Sequence, residues 1–223
     1  MDQIPRVVGK DLSTELVSMA IMLYSMPRRE RNCEALLVYP GMGETWRVEE
    51  IIRAWNPPRS SCVKYLLIAG TEWHKETTAV RPPIVENLKK PPYYLMDTCG
   101  VHAQYHARHT KDQAEWVVAR VQELEIKSLA LYVSPYHLLR AYLTLLKTFI
   151  NQKVERIPMI PVPVAISPAK IIPETGTDAW SMVQGEMDRI KVYQQKGDVA
   201  TLEELQDYLK WLWQMEPIYC DAF

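Results

Sequence analysis

The feature that most constrains the fold is an alternation of short apolar runs with longer segments of helical periodicity. Apolar runs of four or five residues between turn residues are typical of strands that are buried on both faces. Four such runs are Ala35–Tyr39, Tyr65–Ala69, Tyr93–Met96 and Leu129–Val133. A fifth run, Arg156–Val162, contains two prolines, which favours an edge strand because proline cannot donate to a sheet ladder.

Helical spacing of apolar residues predicts seven helices between and after these runs. They are Asp11–Met26, Glu44–Trp55, Ile84–Leu88, Thr110–Leu124, Pro135–Ile150, Asp178–Gln195 and Leu202–Gln214. We therefore predict a Rossmann-like three-layer α/β sandwich with a mostly parallel sheet of about five strands. Residues 1–170 form this α/β domain with its N-terminal helix, and residues 171–223 add a C-terminal helical pair packed on the same domain.

Composition and charge narrow the class of protein. The 26 basic residues are dispersed and the net charge is −1, so the basic stripe of a nucleic-acid-binding protein is missing and no nucleic-acid partner is predicted. No apolar stretch reaches the ~18–20 residues of a membrane span, and no signal pattern is present. The four cysteines form no C-x-x-C pair, which is typical of reduced thiols. We expect a soluble, cytoplasmic protein.

Two glycine-containing turns follow the first two predicted strands. Pro40–Arg47 reads PGMGETWR, in which Gly41 and Gly43 allow close backbone approach to a ligand and Arg47 begins a helix. The second turn contains Gly70, Thr71 and Glu72. Carboxyl ends of parallel strands gather at one edge, where α/β proteins bind ligands. The plainer alternative is two tight connections, since the first turn lacks the third glycine of the dinucleotide fingerprint.

The predicted fourth helix begins with Thr110–Ala114, which reads TKDQA. Thr110 and Gln113 fit a capping box, which is a sufficient structural explanation for both residues. Asp112 in the first turn suits the helix dipole. The functional alternative is that Asp112 and Gln113 contact ligand hydroxyl groups at the same sheet edge.

The last of these turns, Val133–Ala141, reads VSPYHLLRA and carries the strongest functional pattern. Ser134 is a favourable N-cap residue, and His137 and Arg140 are three residues apart and share a helix face. A helix N-terminus lowers the pKa of a histidine, which leaves a neutral imidazole as a base. Arg140 offers a fork for phosphate or carboxylate. The alternative is a capped helix with a partly buried polar pair.

These four turns, in this order, resemble the YdcF-like family, which includes the SanA-like and ElyC-like proteins. The family pattern contains a glycine-ending strand before an Arg-containing helix, then Ser-Gly-Gly, Thr-x-Glu-Asn-Ala and Tyr-His-x-x-Arg-Ala. Val133–Ala141 matches the last element closely from Tyr136 onward, Thr110–Ala114 matches conservatively, and Ala69–Glu72 matches loosely. The resemblance covers roughly residues 33–165.

The resemblance implies a Rossmann-like fold with a polar pocket that binds a nucleotide-like or S-adenosylmethionine-like ligand, and a link to envelope processes. It implies a pocket built from Arg47, Glu72, Asp112, Gln113, His137 and Arg140. This sequence departs from the family pattern in three ways. Thr71 replaces a glycine, and the Pro-rich segment 79–92 replaces a helix. The N-terminal membrane helix that many relatives carry is not predicted here. We expect the protein to bind a small anionic or nucleotide-like ligand and, if it is an enzyme, to be a transferase or a hydrolase. No cofactor is predicted from the sequence.

If the protein is an enzyme, the residue types assign roles as follows. His137 acts as general base or acid, and Asp112 or Glu72 orients it or a substrate hydroxyl. Arg47 and Arg140 stabilise charge. No nucleophile elbow and no Walker motif is present in the sequence, which disfavours those two classes of enzyme.

Two alternatives come from other classes of protein. A metal-dependent hydrolase would use Cys99, His102, His106 and His109, which crowd into eleven residues of a predicted loop. No second ligand cluster accompanies them, so no metal site is predicted. A non-catalytic interaction module would form a homo-oligomer through the C-terminal helices, which carry Tyr208, Trp211, Leu212 and Trp213.

Overall fold

A computed structural model describes residues 12–26, 32–71, 85–107 and 109–215, with only the backbone described at positions 12, 13, 71, 105 and 106. The strands are β1 Ala35–Val38, β2 Tyr65–Thr71, β3 Val101–Ala107, β4 Leu129–Val133 and β5 Met159–Pro163. The helices are α1 Leu12–Tyr24, α2 Thr45–Trp55, α3 Val85–Leu88, α4 Thr110–Glu123, α5 Pro135–Asn151, α6 Ala179–Gln195 and α7 Leu202–Trp213.

The five strands form one parallel sheet in the order β3-β2-β1-β4-β5. In β1, Val38 is in register with Ile68 of β2 on one side and Tyr132 of β4 on the other. The chain therefore extends the sheet in one direction from β1 to β3 and in the other through β4 and β5. This reversal makes the carboxyl ends of β1 and β4 the topological switch point, where open α/β sheets form a crevice. The predicted three-layer α/β fold is confirmed.

The central strands are buried on both faces, as their unbroken apolar runs predict. Every residue of β1 and of β4 is buried, because helices cover both faces of a parallel sheet. The predicted edge position of the proline-containing fifth strand is also confirmed, since β5 pairs with β4 at the end of the sheet. Pro161 and Pro163 lie within it, where the missing N–H groups are tolerated.

The predicted third strand was placed wrongly. Residues 93–96 form an irregular segment in which Tyr94 has a positive φ of 54° and is exposed. The strand is instead β3, Val101–Ala107, which reads VHAQYHA and pairs with β2 at the other edge of the sheet. Residues 101–104 of this strand are only partly buried, and the polar side chains of His102 and Gln104 weaken the apolar signal of a strand.

The C-terminal helices pack on the same body as the sheet. Helix α6 lies against α5, and α7 contacts α1. The predicted capping box at the start of α7 is confirmed, because the Thr201 hydroxyl accepts from the Glu204 N–H and the Glu204 side chain accepts from the Thr201 N–H. Tyr208 ties α7 to the start of β5 through bonds to Ile157 O and Met159 N. Within the described ranges, no helix combines the length and apolarity that crossing a membrane requires.

Candidate functional site

A buried ion pair occupies the switch point between β1 and β4. Arg47, in the first turn of α2, and Glu44, the residue before that helix, are each only 2% exposed. Arg47 Nε donates to Glu44 Oε2 over 3.0 Å, and Arg47 Nη2 lies 2.6 Å from Oε1. Arg47 Nη1 donates to the carbonyl of Tyr39 at the end of β1. The guanidinium that the sequence offers as an anion site is therefore matched by an internal carboxylate.

Two residues that follow β4 complete this buried cluster. Ser134 Oγ donates to Glu44 Oε2 over 2.8 Å and accepts from Arg47 Nε over 2.8 Å. The Tyr136 hydroxyl donates to Glu44 Oε1 over 2.6 Å and accepts from Arg47 Nη2 over 2.9 Å. Trp46 Nε1 also donates to Ser134 Oγ. Because every charge is paired and hydrogen-bonded, the cluster meets the conditions under which buried ions are tolerated.

The two glycines of the first turn make room for the protein's own side chains. A Cβ on Gly41 would lie 1.8 Å from Glu44 Oε1. Gly43 has a φ of +75°, and a Cβ there would lie 2.8 Å from Pro173 Cβ. Gly41 thus admits the Glu44 carboxylate, while Gly43 allows the turn and the close approach of the segment before α6. Ser134 caps α5 by position, although its hydroxyl serves the ion-pair cluster and makes no side-chain capping bond.

A second buried cluster joins α5 to α6. His137 Nδ1 lies 2.9 Å from Glu186 Oε2, and both residues are buried. Arg140 Nε donates to the same Glu186 oxygen over 2.5 Å, and its Nη2 donates to Oε1 over 3.2 Å. Arg189 Nη1 adds a second cation to Glu186 at 2.8 Å. The helical spacing of His137 and Arg140 therefore does bring the two side chains to one partner, a carboxylate 49 residues from His137 in sequence.

Burial and charge set the protonation states in this cluster. Burial, and then the Arg140 charge, lowers the pKa of His137 to about 4, against an opposing contribution from Glu186. Burial alone would raise the pKa of Glu186, but the hydrogen bond from His137 and the Arg140 charge hold it below its usual range. At neutral pH the pair is therefore a neutral imidazole beside an ionised carboxylate.

Glu174 links the two clusters electrostatically. Burial and the charge of Glu44 raise the pKa of the Glu174 carboxyl, while Arg189 and Arg47 oppose the shift and Glu186 adds to it. The segment before α6 thus places a carboxyl within electrostatic reach of both buried carboxylates. Acidic and basic side chains therefore lie close together along the carboxyl edge of the sheet and influence one another's charge.

A cavity of about 360 Å³ opens beside the second cluster, at the N-terminal end of α4. Arg140 and Lys111 bring positive charge to its wall, and Asp112 and Glu115 bring carboxylates. The remaining lining residues are His109, Thr110, Thr144, Tyr193, Asp198 and Val199. Lys111 Nζ pairs with Asp198 over 2.7 Å at the rim. The cavity lies at the start of α4, which is one of the helix starts that the sequence predicts at the ligand-binding edge.

The predicted capping box at Thr110 is wrong. His109 is the N-cap of α4, and its Nδ1 accepts from the Asp112 N–H. The Thr110 hydroxyl instead accepts from Arg140 Nη1 over 2.8 Å, and Gln113 Nε2 donates to the Ala69 carbonyl over 2.8 Å. Tertiary partners have replaced the local reciprocal pair. Gln113 is buried against β2, so its described bond fixes α4 on the sheet.

The second predicted turn is only partly described. Gly70 lies in β2 directly beside β3, and a Cβ there would lie 2.3 Å from the Gln104 carbonyl oxygen. Glycine at this position therefore permits the irregular pairing of the two strands. Only the backbone of Thr71 is described, and Glu72 lies outside the described residues. The Pro-rich segment 79–92 also begins outside them.

The histidine-rich segment is a strand, where a loop was predicted. His102 lies on β3 with its ring 6.1 Å from that of Tyr65, while His109 caps α4. No group of three potential metal ligands comes together among the residues that the structure describes, which exclude the His106 side chain. The described contacts of His102 and His109 are therefore those of packing and capping.

The predicted interaction surface on α7 is divided between core and solvent. Tyr208 and Leu212 are buried, and the Tyr208 ring contacts the rings of Tyr142 and Trp211. Trp213 is exposed. Most of the aromatic stripe therefore serves to pack α7 on its own domain.

The residues predicted at the sheet edge fall into two groups. Gly41, Gly43, Arg47, Ser134 and Tyr136 belong to the buried cluster around Glu44. The second group lies around Glu186 and the cavity and consists of Thr110, Asp112, His137 and Arg140. Gln113 belongs to neither group. The sequence analysis did not identify Glu44 or Glu186, the carboxylates at the centres of the two clusters. The position of Glu44 just after a strand was the one signal that could have found either residue.

Comparison with known proteins found no relative. No model of a known protein family matches this chain, and no curated protein matches it.

Proposed function

We propose that the protein binds a small phosphorylated molecule that also carries hydroxyl groups, in the cavity at the N-terminal end of α4. The observation that supports this most is the lining itself. Arg140 and Lys111 face the same space of about 360 Å³ as Asp112 and Glu115. Phosphate and hydroxyl groups in one ligand would satisfy both kinds of side chain.

The size and place of the cavity favour a small ligand. Ligand sites typically enclose ~300–1,000 Å³, and this cavity of about 360 Å³ is near the lower limit. It lies where α4 begins after β3, beside the second and third turns of α5, and the ends of parallel strands are the usual binding edge of open α/β sheets. Another cavity, of about 370 Å³, is lined by Ile157 and Met159 where β5 starts, at the opposite edge.

The charges in the lining assign parts of the ligand. Glu186 already pairs with Arg140 and Asp198 with Lys111. A phosphate group would therefore bind at Arg140 Nη1 and at a Lys111 ammonium that exchanges Asp198 for the ligand, with the positive end of the α4 dipole nearby. The carboxylates of Asp112 and Glu115 would accept hydrogen bonds from ligand hydroxyl groups. Arg140 donates to the neutral Thr110 hydroxyl through Nη1, a partner that a phosphate oxygen can replace with a stronger, charge-assisted bond.

The resemblance to the YdcF-like family supports the same chemistry. Its Thr-x-Glu-Asn-Ala and Tyr-His-x-x-Arg-Ala elements correspond to the segments that supply Asp112 and Arg140. Nucleotide-like ligands combine a phosphate with ribose hydroxyl groups, so they are the first compounds to test. A transferase or hydrolase acting on such a ligand is the corresponding enzyme proposal.

The test compares two exposed, ion-paired lysines. Lys111→Ala removes a cation from the cavity, whereas Lys89→Ala removes one that pairs with Glu86 on α3. Isothermal titration calorimetry would measure inorganic phosphate, ribose 5-phosphate and adenosine nucleotides against each protein. We expect Lys111→Ala to weaken the binding of a phosphorylated compound by about tenfold, equivalent to ~1.4 kcal/mol, with Lys89→Ala unchanged. Equal loss in both variants, or no binding to the wild type, would overturn the proposal.

A further inference from the structure

A carboxylate–imidazole pair spans the interface between α5 and α6. His137 Nδ1 lies 2.9 Å from Glu186 Oε2, and the two residues are 7% and 3% exposed. The geometry points to His137 as a general base, with Glu186 as the positioning residue that holds its Nδ1–H and leaves Nε2 to accept a proton. Arg140 lines the proposed ligand cavity and His137 does not, so the proton donor would be a water molecule, or a ligand hydroxyl group that extends past Arg140.

The partners of Glu186 fix which imidazole nitrogen carries the proton. Arg140 donates to both carboxylate oxygens and Arg189 donates to Oε1, so the carboxylate stays ionised and acts only as an acceptor. His137 Nδ1 must therefore be the donor in the contact of 2.9 Å. Arg140 Nη2, 3.2 Å from Nδ1, is itself a donor and makes no hydrogen bond to a protonated Nδ1. The tautomer follows from the bond that one ring nitrogen makes.

The other ring nitrogen is left for chemistry. Among the described residues, no group forms a hydrogen bond with His137 Nε2. This atom is also not one of the fully buried polar atoms without a partner, so part of its surface is exposed. A neutral imidazole with a free Nε2 lone pair is the form that a general base requires. The lowered pKa of His137, at about 4, keeps that lone pair unprotonated at neutral pH.

The surrounding charges would regulate the proton transfer. Arg140 on α5 and Arg47 on α2 disfavour an imidazolium, while Glu186 on α6 favours it. Arg189 and the Glu174 carboxyl act on the same group of charges. When a hydroxyl O–H breaks, its proton moves to Nε2 and the positive charge is stabilised by Glu186, which remains ionised as the orienting carboxylate does in a catalytic triad.

The identity of the hydroxyl donor rests on the proposed ligand, but the state of the imidazole does not. The two ideas therefore fail separately. Ligand binding is measured by calorimetry, while the tautomer and the accessibility of Nε2 are measured on the ligand-free protein.

The first readout is the ¹⁵N chemical shifts of the His137 ring, from two-dimensional long-range correlation spectra at pH 7. We expect a protonated Nδ1 and an unprotonated Nε2 in the wild type. Glu186→Leu should lose this tautomer, and Glu186→Gln should restore it, since the amide oxygen still accepts from Nδ1. Arg189→Gln, which alters a different partner of Glu186, should leave it unchanged. A wild-type ring protonated at Nε2 would overturn the proposal.

The second readout separates a base from a merely structural histidine. Diethyl pyrocarbonate acylates an unprotonated, reachable imidazole nitrogen, and peptide mass spectrometry locates the product. We expect His137 to react in the folded protein, with a rate that falls as pH drops toward about 4, and to react more slowly in Glu186→Gln, since losing that charge makes Nε2 less basic. An unreactive His137 in the folded wild type would overturn its role as a base.

Discussion

Ser134 Oγ donates to Glu44 Oε2 over 2.8 Å, and this bond joins the segment after β4 to the segment after β1 although the residues are 90 positions apart. It closes a crevice that open α/β sheets commonly offer to a ligand. Here the crevice holds the protein's own carboxylate and guanidinium. The ligand cavity that we propose lies farther along the same edge, beyond the His137–Glu186 pair.

The buried ion pair at the start of α2 should contribute more to the free energy of unfolding than an exposed ion pair of the same spacing on that helix. We expect Glu44→Gln to lower the free energy of unfolding by about 3 kcal/mol or more, because it leaves the Arg47 charge buried without its counter-ion. Glu50→Gln, which breaks the exposed pair with Arg53 on the same helix, should change it by less than about 1 kcal/mol. Urea unfolding of both variants measures the difference, and equal losses would contradict the assignment.

Stability should fall in mildly acidic solution because His137 is buried in its neutral form. The unfolded chain binds a proton at the ordinary value near 6.5, whereas the folded protein does so only at about 4. Between these values the unfolded state binds more protons, so the contribution is fully present above pH 6.5 and is lost as pH falls toward 4. The loss is on the order of 3 kcal/mol, from ~1.4 kcal/mol per pKa unit.

Urea unfolding at closely spaced pH values between 7 and 4 measures this slope. His137→Gln should remove most of the slope while retaining the protein's response at lower pH, where Glu186 becomes protonated. A variant with the same slope as the wild type would show that another group is responsible.

The Arg140 charge should hold down the pKa of its neighbour. Arg140→Gln removes a cation 3.2 Å from His137 Nδ1, so we expect the pKa of His137 to rise above its wild-type value of about 4, since less repulsion opposes the imidazolium. An NMR titration of the ring follows the change. A value that is unchanged or lower would place the cause of the shift in burial alone.

Two glycine substitutions should have opposite signs. Gly41→Ala places a Cβ where Glu44 Oε1 now lies, and the caged carboxylate has no free space to move into, so we expect a loss of about 2 kcal/mol or more. Gly185→Ala, inside α6 with its nearest neighbouring atom at 4.0 Å, should gain up to ~1 kcal/mol from helix propensity. Thermal unfolding compares them, and a neutral Gly41→Ala would contradict the packing argument.

The sequence by itself determined the layered fold and most of its elements. The unbroken apolar runs indicated strands that are buried on both faces, which requires a layer of helices on each side of the sheet. Thr201 and Glu204 were enough to predict the capping box of α7. The spacing of His137 and Arg140 likewise placed both on one face of α5. These are short-range patterns, which depend on backbone periodicity and neighbouring residues alone.

Only the tertiary structure decided which partners the polar groups found. The third strand is Val101–Ala107, at one edge of the sheet, where partial burial lets a strand alternate apolar and polar residues. The tertiary structure also gave Arg47 the carboxylate of Glu44, and gave His137 that of Glu186 on a different helix. A buried charge takes whatever counter-charge the packing of distant segments brings within hydrogen-bond distance. That distance depends on how sheet and helices assemble, and no local pattern encodes it.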